Sequence, residues 1–391
     1  MALTLLATVV LHASLPSQDL QAPAPSSSAP PPSIARPVPI APALDSVVGA
    51  AAARGLTGTI LVGRLSDAAQ APPTYARHVG TDARTGAPIT LASRWRWASV
   101  TKQVTAVLVM QEVAAGRLAL DVPIARVLPS FRGPTASRIT VRQLLQHTSG
   151  LPDPDASAST LPPLFTTAPA GDANRAATAG ACAGAPRAEP GASFNYDNCD
   201  YLVLGALLSH MTKRPYHQLV RDRLARDAGT RAIVVQRDAR RTDVASPPTA
   251  DGAESRLVLA AYGAAAAIVA PLTDMLAFDR ALAGNRLLPR NWRDTLWAGD
   301  RAIGYAALGA WSYPATLAGC TGPMPLVERR GEIGGVQLRN VIAPTRDRAV
   351  IIAVNAPGID FGEVWQGRGL LHDVLAAALC RDGDPQPTPR D

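Results

Sequence analysis

Lysine is almost absent from this chain of 391 residues. Only Lys102 and Lys213 are present, and since lysine and arginine together number 38, the other 36 of these cations are arginine. Arginine stays protonated, whereas a buried lysine can lose its proton and serve as a base. A chain that uses arginine nearly everywhere and yet keeps Lys102, one helical turn after Ser99, indicates a position where a permanent charge would not serve.

Signatures of metal and nucleic-acid binding are also missing. The four cysteines form no Cys-x-x-Cys pair and the six histidines form no cluster, so the sequence predicts no metal site. The net charge of +7 is basic, but the arginines are scattered and aromatic residues make up only 5% of the chain. Without a basic stripe interleaved with aromatic residues, the sequence predicts no nucleic-acid partner.

Long apolar runs are absent too. The mostly apolar segment Ala2–Leu11 is shorter than the roughly 20 residues that a helix needs to span a bilayer, and no integral membrane span is predicted. It resembles the core of a secretory signal peptide, although no Lys or Arg precedes it. We therefore expect residues 1–17 to be a signal peptide and the protein to be periplasmic or secreted. Residues 18–43, rich in Pro, Ala and Ser, are a predicted linker, and residues 382–391 a predicted flexible tail.

The few cysteines fit an exported protein. Four cysteines allow three pairings, between which the sequence cannot choose. Proximity in the chain favours a pair between Cys182 and Cys199, which leaves Cys320 with Cys380. Free buried thiols in a reducing cytoplasm are the alternative.

The order of secondary-structure elements predicts the fold class. Apolar periodicity predicts helices at 44–54, 140–146, 199–211, 274–283 and 367–379. Alternating and β-branched segments predict strands at 57–62, 74–79, 325–328, 336–342 and 349–355. Strands at both ends with helices between them indicate an α/β (α+β) fold, in which an antiparallel sheet flanked by helices is formed by both chain ends. A mainly helical region is inserted at roughly 120–285.

Three short motifs follow one another along this order. Ser99-x-x-Lys102 begins an apolar helix, and a nucleophile at a helix N-terminus gains from the helix dipole. Tyr196-Asp197-Asn198 precedes the helix predicted from 199, and a tyrosine beside a lysine can act as a proton acceptor. The third motif, Gly-Glu-Ile-Gly-Gly at 331–335, leads into a strand. Taken alone, each motif has a structural interpretation: chance, a turn and a glycine-rich hairpin.

Together and in this order, the motifs resemble the serine β-lactamase and penicillin-binding protein superfamily. The Tyr-x-Asn form resembles the branch that contains class C β-lactamases, D-alanyl-D-alanine carboxypeptidases, D-aminopeptidases and family VIII esterases. Trp97-Ala98 before the serine and the segment Leu-Leu-Gln-His-Thr-Ser-Gly-Leu-Pro at 144–152 add to the similarity. The resemblance covers most of the chain from Leu44 to Cys380. It implies a β-lactamase/transpeptidase-like fold, with one serine hydrolase domain over 44–381.

The resemblance also implies roles for individual residues. Ser99 would be the nucleophile that forms an acyl-enzyme, with Lys102 and Tyr196 together as its general base. Asn198 would bind the substrate amide or orient Lys102. His147 lies in a His-Thr-Ser-Gly segment, which implies a structural rather than a catalytic role.

The third motif departs from the family pattern. The backbone N–H of Gly335, next to Gly334, would complete an oxyanion hole with that of Ser99. This motif usually begins with Lys or His, and here Glu332 takes that place. A carboxylate there would repel a substrate carboxylate by about 1 to 4 kcal/mol, which favours a neutral ester, an amide or an amine-bearing substrate over penicillins, unless Arg330 or Arg339 restores a carboxylate clamp.

The function predicted from the sequence is therefore a serine hydrolase that acts on a small-molecule or peptide acyl substrate without a cofactor. The alternative is a catalytically weak penicillin-binding or sensor protein on the same fold, which Glu332 supports. The sequence leaves the oligomeric state open.

Overall fold

Strands from both ends of the chain lie side by side in one sheet. The structure is a computed structural model that describes residues 40–154, 163–169, 171–237, 257–356 and 358–380. These residues belong to one compact unit that begins at Pro37.

The predicted signal peptide, most of the predicted linker and the predicted tail lie outside the described residues. The last residues assigned to the linker, from Ala41, already belong to a helix.

Nine strands are present in the described part of the chain: β1 (Gly58–Arg64), β2 (Tyr75–Val79), β3 (Arg94–Arg96), β4 (Val234–Val235), β5 (Ile268–Pro271), β6 (Trp311–Ala315), β7 (Met324–Ile333), β8 (Val336–Ala343) and β9 (Arg348–Val354). The main sheet has the order β2-β1-β9-β8-β7-β6, and each of its neighbouring strands is antiparallel. The N-terminal β1 pairs with the C-terminal β9, which confirms the predicted sheet of both chain ends.

The helices of the described residues are α1 (Ala41–Ala52), α2 (Thr101–Ala114), α3 (Ile124–Val127), α4 (Val141–Leu145), α5 (Pro163–Thr166), α6 (Ala173–Ala179), α7 (Cys199–Thr212), α8 (Tyr216–Asp227), α9 (Gly263–Ala266), α10 (Leu272–Ala283), α11 (Arg290–Leu296) and α12 (Leu370–Leu379). None of them combines the length and the hydrophobicity needed to cross a bilayer. The region between β2 and β6 is mainly helical, as predicted, but it also holds a small sheet of order β3-β5-β4 that the sequence pattern did not reveal.

The main sheet separates two hydrophobic cores. Helices α1 and α12 cover one face, where Leu44 and Leu375 belong to the same buried cluster as Ile352. The other face packs against the helical region, where Val107 of α2 and Ile351 share a second cluster. Successive residues of β9 therefore bury opposite faces, as the pleat of a strand requires.

Helix α2 is buried on all sides. Apart from Gln111 and Ala114, every residue in it is buried. Because its surroundings hold it on every face, the residues just before and within its first turn have a fixed position relative to the sheet.

Two disulfide bonds tie distant segments together. Cys182 pairs with Cys199 and Cys320 with Cys380, which are the pairings that the sequence favoured. The first bond holds the beginning of α7, and the second joins the segment between β6 and β7 to the end of α12.

Candidate active site

Ser99 lies in a tight turn that leads directly into α2. Residues Ala98–Val100 form one turn of 3-10 helix, and α2 begins at Thr101. Ala98 has a φ of 48°, a left-handed backbone conformation that is uncommon for a residue with a side chain. Strained backbone of this kind is concentrated at functional sites, where the surrounding structure maintains it.

Lys102 lies beneath Ser99, one helical turn further along. Its side chain is fully buried. The Nζ atom donates to Ser99 Oγ at 3.1 Å, to Asn198 Oδ1 at 2.7 Å and to the carbonyl oxygen of Ala265 at 3.2 Å. An ammonium group has three hydrogens, so these three acceptors satisfy it. The amide oxygen of Asn198 is thus in a position to orient Lys102, one of the two roles expected for it.

Tyr196 approaches Ser99 from the loop before α7. Its hydroxyl donates to Ser99 Oγ at 2.6 Å. The ammonium of Lys102 lies 4.9 Å from the centre of the tyrosine ring. The serine oxygen thus contacts two groups that could exchange a proton with it, and these two come from parts of the chain 94 residues apart.

A third side chain at the site, Arg329, was not identified from the sequence. This residue of β7 is almost fully buried. Its Nε donates to the carbonyl oxygen of Ser99 at 2.8 Å, and its Nη2 donates to the hydroxyl oxygen of Tyr196 at 3.0 Å. Arg329 therefore connects the sheet to both the Ser99 turn and the tyrosine.

The charges around Ser99 favour proton acceptance. Burial lowers the pKa of Lys102, and the nearby positive charge of Arg329 lowers it further, against an opposing effect of Tyr196. Burial alone would raise the pKa of Tyr196, but the positive charges of Lys102 and Arg329 and its hydrogen bonds with Lys102 and Ser99 lower it overall. Both shifts increase the fraction of each group that can take a proton from Ser99.

The segment at 147–150 supports the Tyr196 loop from behind. The backbone N–H of Asn195 donates to the carbonyl oxygen of His147 at 2.7 Å, and that of Gly191 donates to Thr148 at 2.7 Å. On the other side of Tyr196, the disulfide bond holds Cys199. The loop that carries Tyr196 and Asn198 is therefore fixed at both ends.

The imidazole of His147 contacts Asp200 and the ring of Tyr196. Its Nδ1 lies 2.9 Å from Asp200 Oδ2, and its ring packs against that of Tyr196, with 4.5 Å between the centroids. Burial, together with the charges of Arg329 and Lys102, lowers the pKa of His147 well below its usual value. A neutral imidazole that packs behind the tyrosine agrees with the structural role expected from the sequence.

The third motif begins three residues earlier than expected. At Gly331, an added Cβ would lie 2.5 Å from the carbonyl oxygen of Trp97 and 3.2 Å from Ala98 Cβ, so only glycine allows the strand to approach the Ser99 turn this closely. Two residues before Gly331 is Arg329, the cation that contacts Tyr196. The motif at the site is thus Arg329-Arg330-Gly331, and its cation is arginine in place of the usual Lys or His.

This placement corrects the expected roles of Glu332, Gly334 and Gly335. Gly334 and Gly335 form the two-residue turn between β7 and β8, with φ values of 52° and 74°. This geometry suits a hairpin of two glycines, and it puts both residues beyond the end of the strand. The side chain of Glu332 is exposed and points to the opposite face of β7 from Gly331, because successive side chains of a strand alternate. The carboxylate of Glu332 therefore does not face Ser99.

The backbone of Glu332, in contrast, is directed towards the site. Pro314 and Pro325 are paired across β6 and β7, and because proline has no N–H this must be a non-hydrogen-bonded pair. The N–H of the next residue, Leu326, therefore points towards β6. Because the direction of the N–H alternates along a strand, the N–H groups of Glu328 and Glu332 point to the same side. Strand β6 begins opposite Glu328, so Glu332 lies past its end, on the edge of β7 next to the Ser99 turn.

The two other arginines considered as a carboxylate clamp are paired with acids. Arg330 donates to Glu328 at 2.9 Å and to Glu363 at 2.6 Å. Arg339 lies 3.7 Å from Glu328 and over the ring of Phe361. Their charges are thus balanced within the protein.

Within the residues that the structure describes, no group of three or more His, Cys, Asp or Glu side chains is arranged to hold a metal ion.

Known proteins resemble this chain in both sequence and fold. The sequence profile of the Beta-lactamase family matches residues 47–371, which is most of the chain, and the chain therefore belongs to this family. The family predicted from the motifs is confirmed.

Individual relatives match only parts of the chain. Penicillin-binding protein 4 of Amycolatopsis lactamdurans is 35% identical over 144 residues, which cover 36% of this chain and 35% of that protein. Esterase EstB of Burkholderia gladioli is 44% identical over 82 residues, covering 20% of this chain and 21% of that protein. The matched segments thus span at most about a third of these relatives.

A solved structure extends the similarity to the whole fold. The D-amino acid amidase of Ochrobactrum anthropi SV3 superposes with a TM-score of 0.71 over 86% of this chain and 98% of that chain, at 22% identity. The predicted β-lactamase/transpeptidase-like fold is confirmed.

Proposed function

We propose that this protein is a serine hydrolase that cleaves neutral esters or amides through an acyl-enzyme on Ser99. The observation that carries the proposal is the contact of Ser99 Oγ with both Tyr196, at 2.6 Å, and Lys102, at 3.1 Å. A serine hydroxyl is a weak nucleophile unless an adjacent base takes its proton. The lowered pKa values of both neighbours suit them for that task.

The proposed reaction has two steps. Ser99 Oγ attacks the acyl carbon while its proton passes to the oxygen of Tyr196, which shares that proton with the amine of Lys102, and the charge of Arg329 keeps this pair basic. The bond to the leaving alcohol or amine then breaks, and Tyr196 returns the proton to that group. In the second step water attacks the Ser99 ester, Tyr196 accepts a proton from the water, and the acid leaves as Ser99 regains its hydrogen.

The oxyanion that forms during each attack needs donors. We propose that the backbone N–H groups of Ser99 and Glu332 are these donors. The N–H of Ser99 lies in a tight turn at a helix start, and that of Glu332 points outward from the edge of β7. Removing one such donor from an oxyanion hole typically costs about 3 to 4 kcal/mol of transition-state stabilisation. The exposed side chain of Glu332 has no part in this role.

The pairing of the arginines supports a neutral substrate. The expectation that the enzyme works poorly on penicillins rested on repulsion by Glu332, which does not face Ser99. The same preference now rests on three arginines: the charges of Arg330 and Arg339 are balanced by acids, and Arg329 is buried with its guanidinium bonded to Ser99 and Tyr196. Similarity to proteins named an esterase and a D-amino acid amidase agrees with an ester or amide. The alternative of a weakly reactive penicillin-binding or sensor protein depended on Glu332 and loses that support.

A labelling experiment tests the nucleophile. We expect a fluorophosphonate probe to label the purified protein and to leave the Ser99→Ala variant unlabelled. Ser193→Ala, which changes an exposed serine three residues from Tyr196, is the matched control and should label normally. Labelling that persists in Ser99→Ala, or is absent from the unmodified protein, would contradict the proposal. Turnover of nitrocefin together with an inert p-nitrophenyl butyrate would contradict the preference for neutral substrates.

We also propose that the protein is exported to the periplasm or secreted. Two disulfide bonds fit an oxidising compartment, as does the apolar segment within residues 1–17. Cell fractionation and N-terminal sequencing test this: the mature chain should begin near residue 18, outside the cytoplasm. An unprocessed chain confined to the cytoplasm would refute it.

A further inference from the structure

An aromatic pocket lies at the β6 edge of the main sheet, and one of its side chains, Trp311, contacts Tyr196. Its volume is about 430 Å³, within the range of about 300 to 1,000 Å³ that is typical of ligand pockets. The side chains that line it are those of Tyr305, Trp311, Tyr313, Pro314, Arg330 and Trp365. Four aromatic rings at one pocket stand out in a chain with only 5% aromatic residues.

One wall of this pocket, formed by Trp311, packs against the proposed catalytic cluster. The ring of Trp311 stacks on that of Tyr196, with 6.3 Å between the centroids, and the guanidinium of Arg329 lies 5.0 Å from the Trp311 ring. In the proposed reaction Tyr196 gives a proton to the leaving group, which must therefore lie next to the tyrosine hydroxyl. A leaving group in that position would lie near Trp311, and its outer part could extend towards the pocket.

The pocket carries a balanced charge. Arg330 lies between two tryptophans, with its guanidinium 5.6 Å from the ring of Trp311 and 5.4 Å from that of Trp365. Its bonds to Glu328 and Glu363 balance its charge, and Tyr313 donates a further hydrogen bond to the buried Glu328. A carboxylate ligand would have to compete with these acids, and a cationic ligand would meet the arginine on the ring faces. Neutral groups meet neither obstacle.

Two further features fit a binding role. Tyr305 has a φ of 63°, which is a strained conformation for a bulky residue. Two hydrogen bonds hold it there: its N–H donates to the carbonyl oxygen of Asp300, and its own carbonyl oxygen accepts from the N–H of Ser312. The side chain of Trp365 is 68% exposed, the one large hydrophobic side chain exposed in the described residues. A bound apolar group would cover part of this ring.

From these features we propose that the pocket binds a neutral aromatic leaving group, that is, the alcohol or amine part of an ester or amide substrate. This inference rests on the proposed function, because the hydrolysis at Ser99 defines which part of the substrate leaves. It assigns specificity to Trp311 and Trp365 and excludes a leaving group that bears a carboxylate.

Three esters of one acid test the specificity. Benzyl, ethyl and carboxymethyl esters of the same acid give the same acyl-enzyme, so differences in kcat/KM report acylation and the leaving group alone. We expect the benzyl ester to be preferred to the ethyl ester by about tenfold or more, as partial burial of a phenyl ring implies, and the carboxymethyl ester to be the poorest. Trp365→Ala should reduce the benzyl preference about fivefold. The matched control, Trp297→Ala, removes a tryptophan that also lies beside an arginine but outside the pocket, and it should keep the preference.

A binding experiment separates the inference from the proposed function. In the catalytically disabled Ser99→Ala protein, benzyl alcohol should give a saturation-transfer NMR signal that the additional change Trp365→Ala abolishes. Ser99-dependent ester turnover without benzyl preference or benzyl alcohol binding would overturn the pocket assignment and leave the hydrolase proposal standing. Binding without any turnover would overturn the hydrolase proposal, and with it the leaving-group role. A preference for the carboxymethyl ester would overturn the assignment of a neutral group.

Discussion

Replacing Arg329 with glutamine removes a permanent positive charge from the two groups that we propose as the base. Arg329 lowers the pKa of Tyr196 and also that of Lys102, so its loss raises both. The direction of the change is the same whichever of the two groups carries the proton in the free enzyme. This makes the prediction independent of how the pair titrates.

The size of the effect follows from the contact. Nη2 of Arg329 lies 3.0 Å from the hydroxyl oxygen of Tyr196. Two unit charges about 4 Å apart interact by about 4 kcal/mol at an effective dielectric constant of 20. Relaxation and water that replaces the guanidinium offset part of this, and an opposite charge at such distances typically shifts a pKa by about 1 to 3 units. We expect a shift of that order.

The assay is the dependence of kcat/KM on pH for a neutral ester. Activity requires the base to be unprotonated, so the rate falls as the pH decreases through the pKa of the base. A raised pKa moves this acidic limb of the pH–rate profile to higher pH. At pH values on the limb, the Arg329→Gln variant should be about 10 to 1,000 times slower than the parent enzyme. Arg329→Lys is the matched control, because it keeps a charge while it loses the two-pronged contact with Ser99 and Tyr196. Its limb should stay near the original pH, whatever happens to the plateau.

Two results would refute this account of Arg329. If the limb of Arg329→Gln stays in place and only the plateau falls, the arginine acts by holding the Ser99 turn and not by its charge. If Arg329→Lys shifts the limb as far as Arg329→Gln does, the charge is not the cause of the shift.

Three other changes test the remaining parts of the site. Lys102→Arg keeps a charge but removes the amine that shares the proton with Tyr196, so kcat/KM should fall by about 100-fold to 10,000-fold, and unchanged turnover would exclude Lys102 from the mechanism. Gly331→Ala places a Cβ 2.5 Å from the carbonyl oxygen of Trp97, just before the Ser99 turn. It should lower the activity, and it should lower the free energy of unfolding by about 1 to 3 kcal/mol. The control Gly322→Ala, with no atom within 4 Å of its added Cβ, should change neither. Removing the disulfide between Cys182 and Cys199, which are separated by 17 residues, by the double change to serine should lower stability by about 3 kcal/mol in chemical denaturation, and an unchanged midpoint would contradict its role in holding the Tyr196 loop.

The first two motifs could be found from the sequence because each is short and local. Lys102 follows Ser99 by one helical turn, so an apolar helix is enough to bring the two side chains together. Tyr196 and Asn198 flank one residue at a helix start, where both can project in one direction. What the sequence could not provide is the meeting of the two motifs, which depends on the packing of α7 against α2. The family resemblance supplied it.

The position of the third motif could not be predicted for a physical reason. Two glycine patterns lie within five residues, and either could be the close approach of a strand to the nucleophile. The carbonyl oxygen of Trp97 decides between them, because it leaves no space for a Cβ at Gly331. The pair Gly334-Gly335 has a different cause, the left-handed backbone of a hairpin turn. Trp311 was missed as well, because a single tryptophan on a short edge strand carries no spacing that marks it.

The positions of the two cations give a reason why the site has an arginine at 329 and a lysine at 102. Arg329 remains protonated and can only donate, so it stabilises the negative form of Tyr196 and never competes with it for a proton. Its charge, together with burial, also lowers the pKa of Lys102, which suits the exchange of a proton in the proposed reaction. A lysine in place of Arg329 would introduce a second titrating amine next to the tyrosine, and the two would divide one proton between them. An arginine at position 329 and a lysine at position 102 keep the permanent charge and the exchangeable proton on separate side chains.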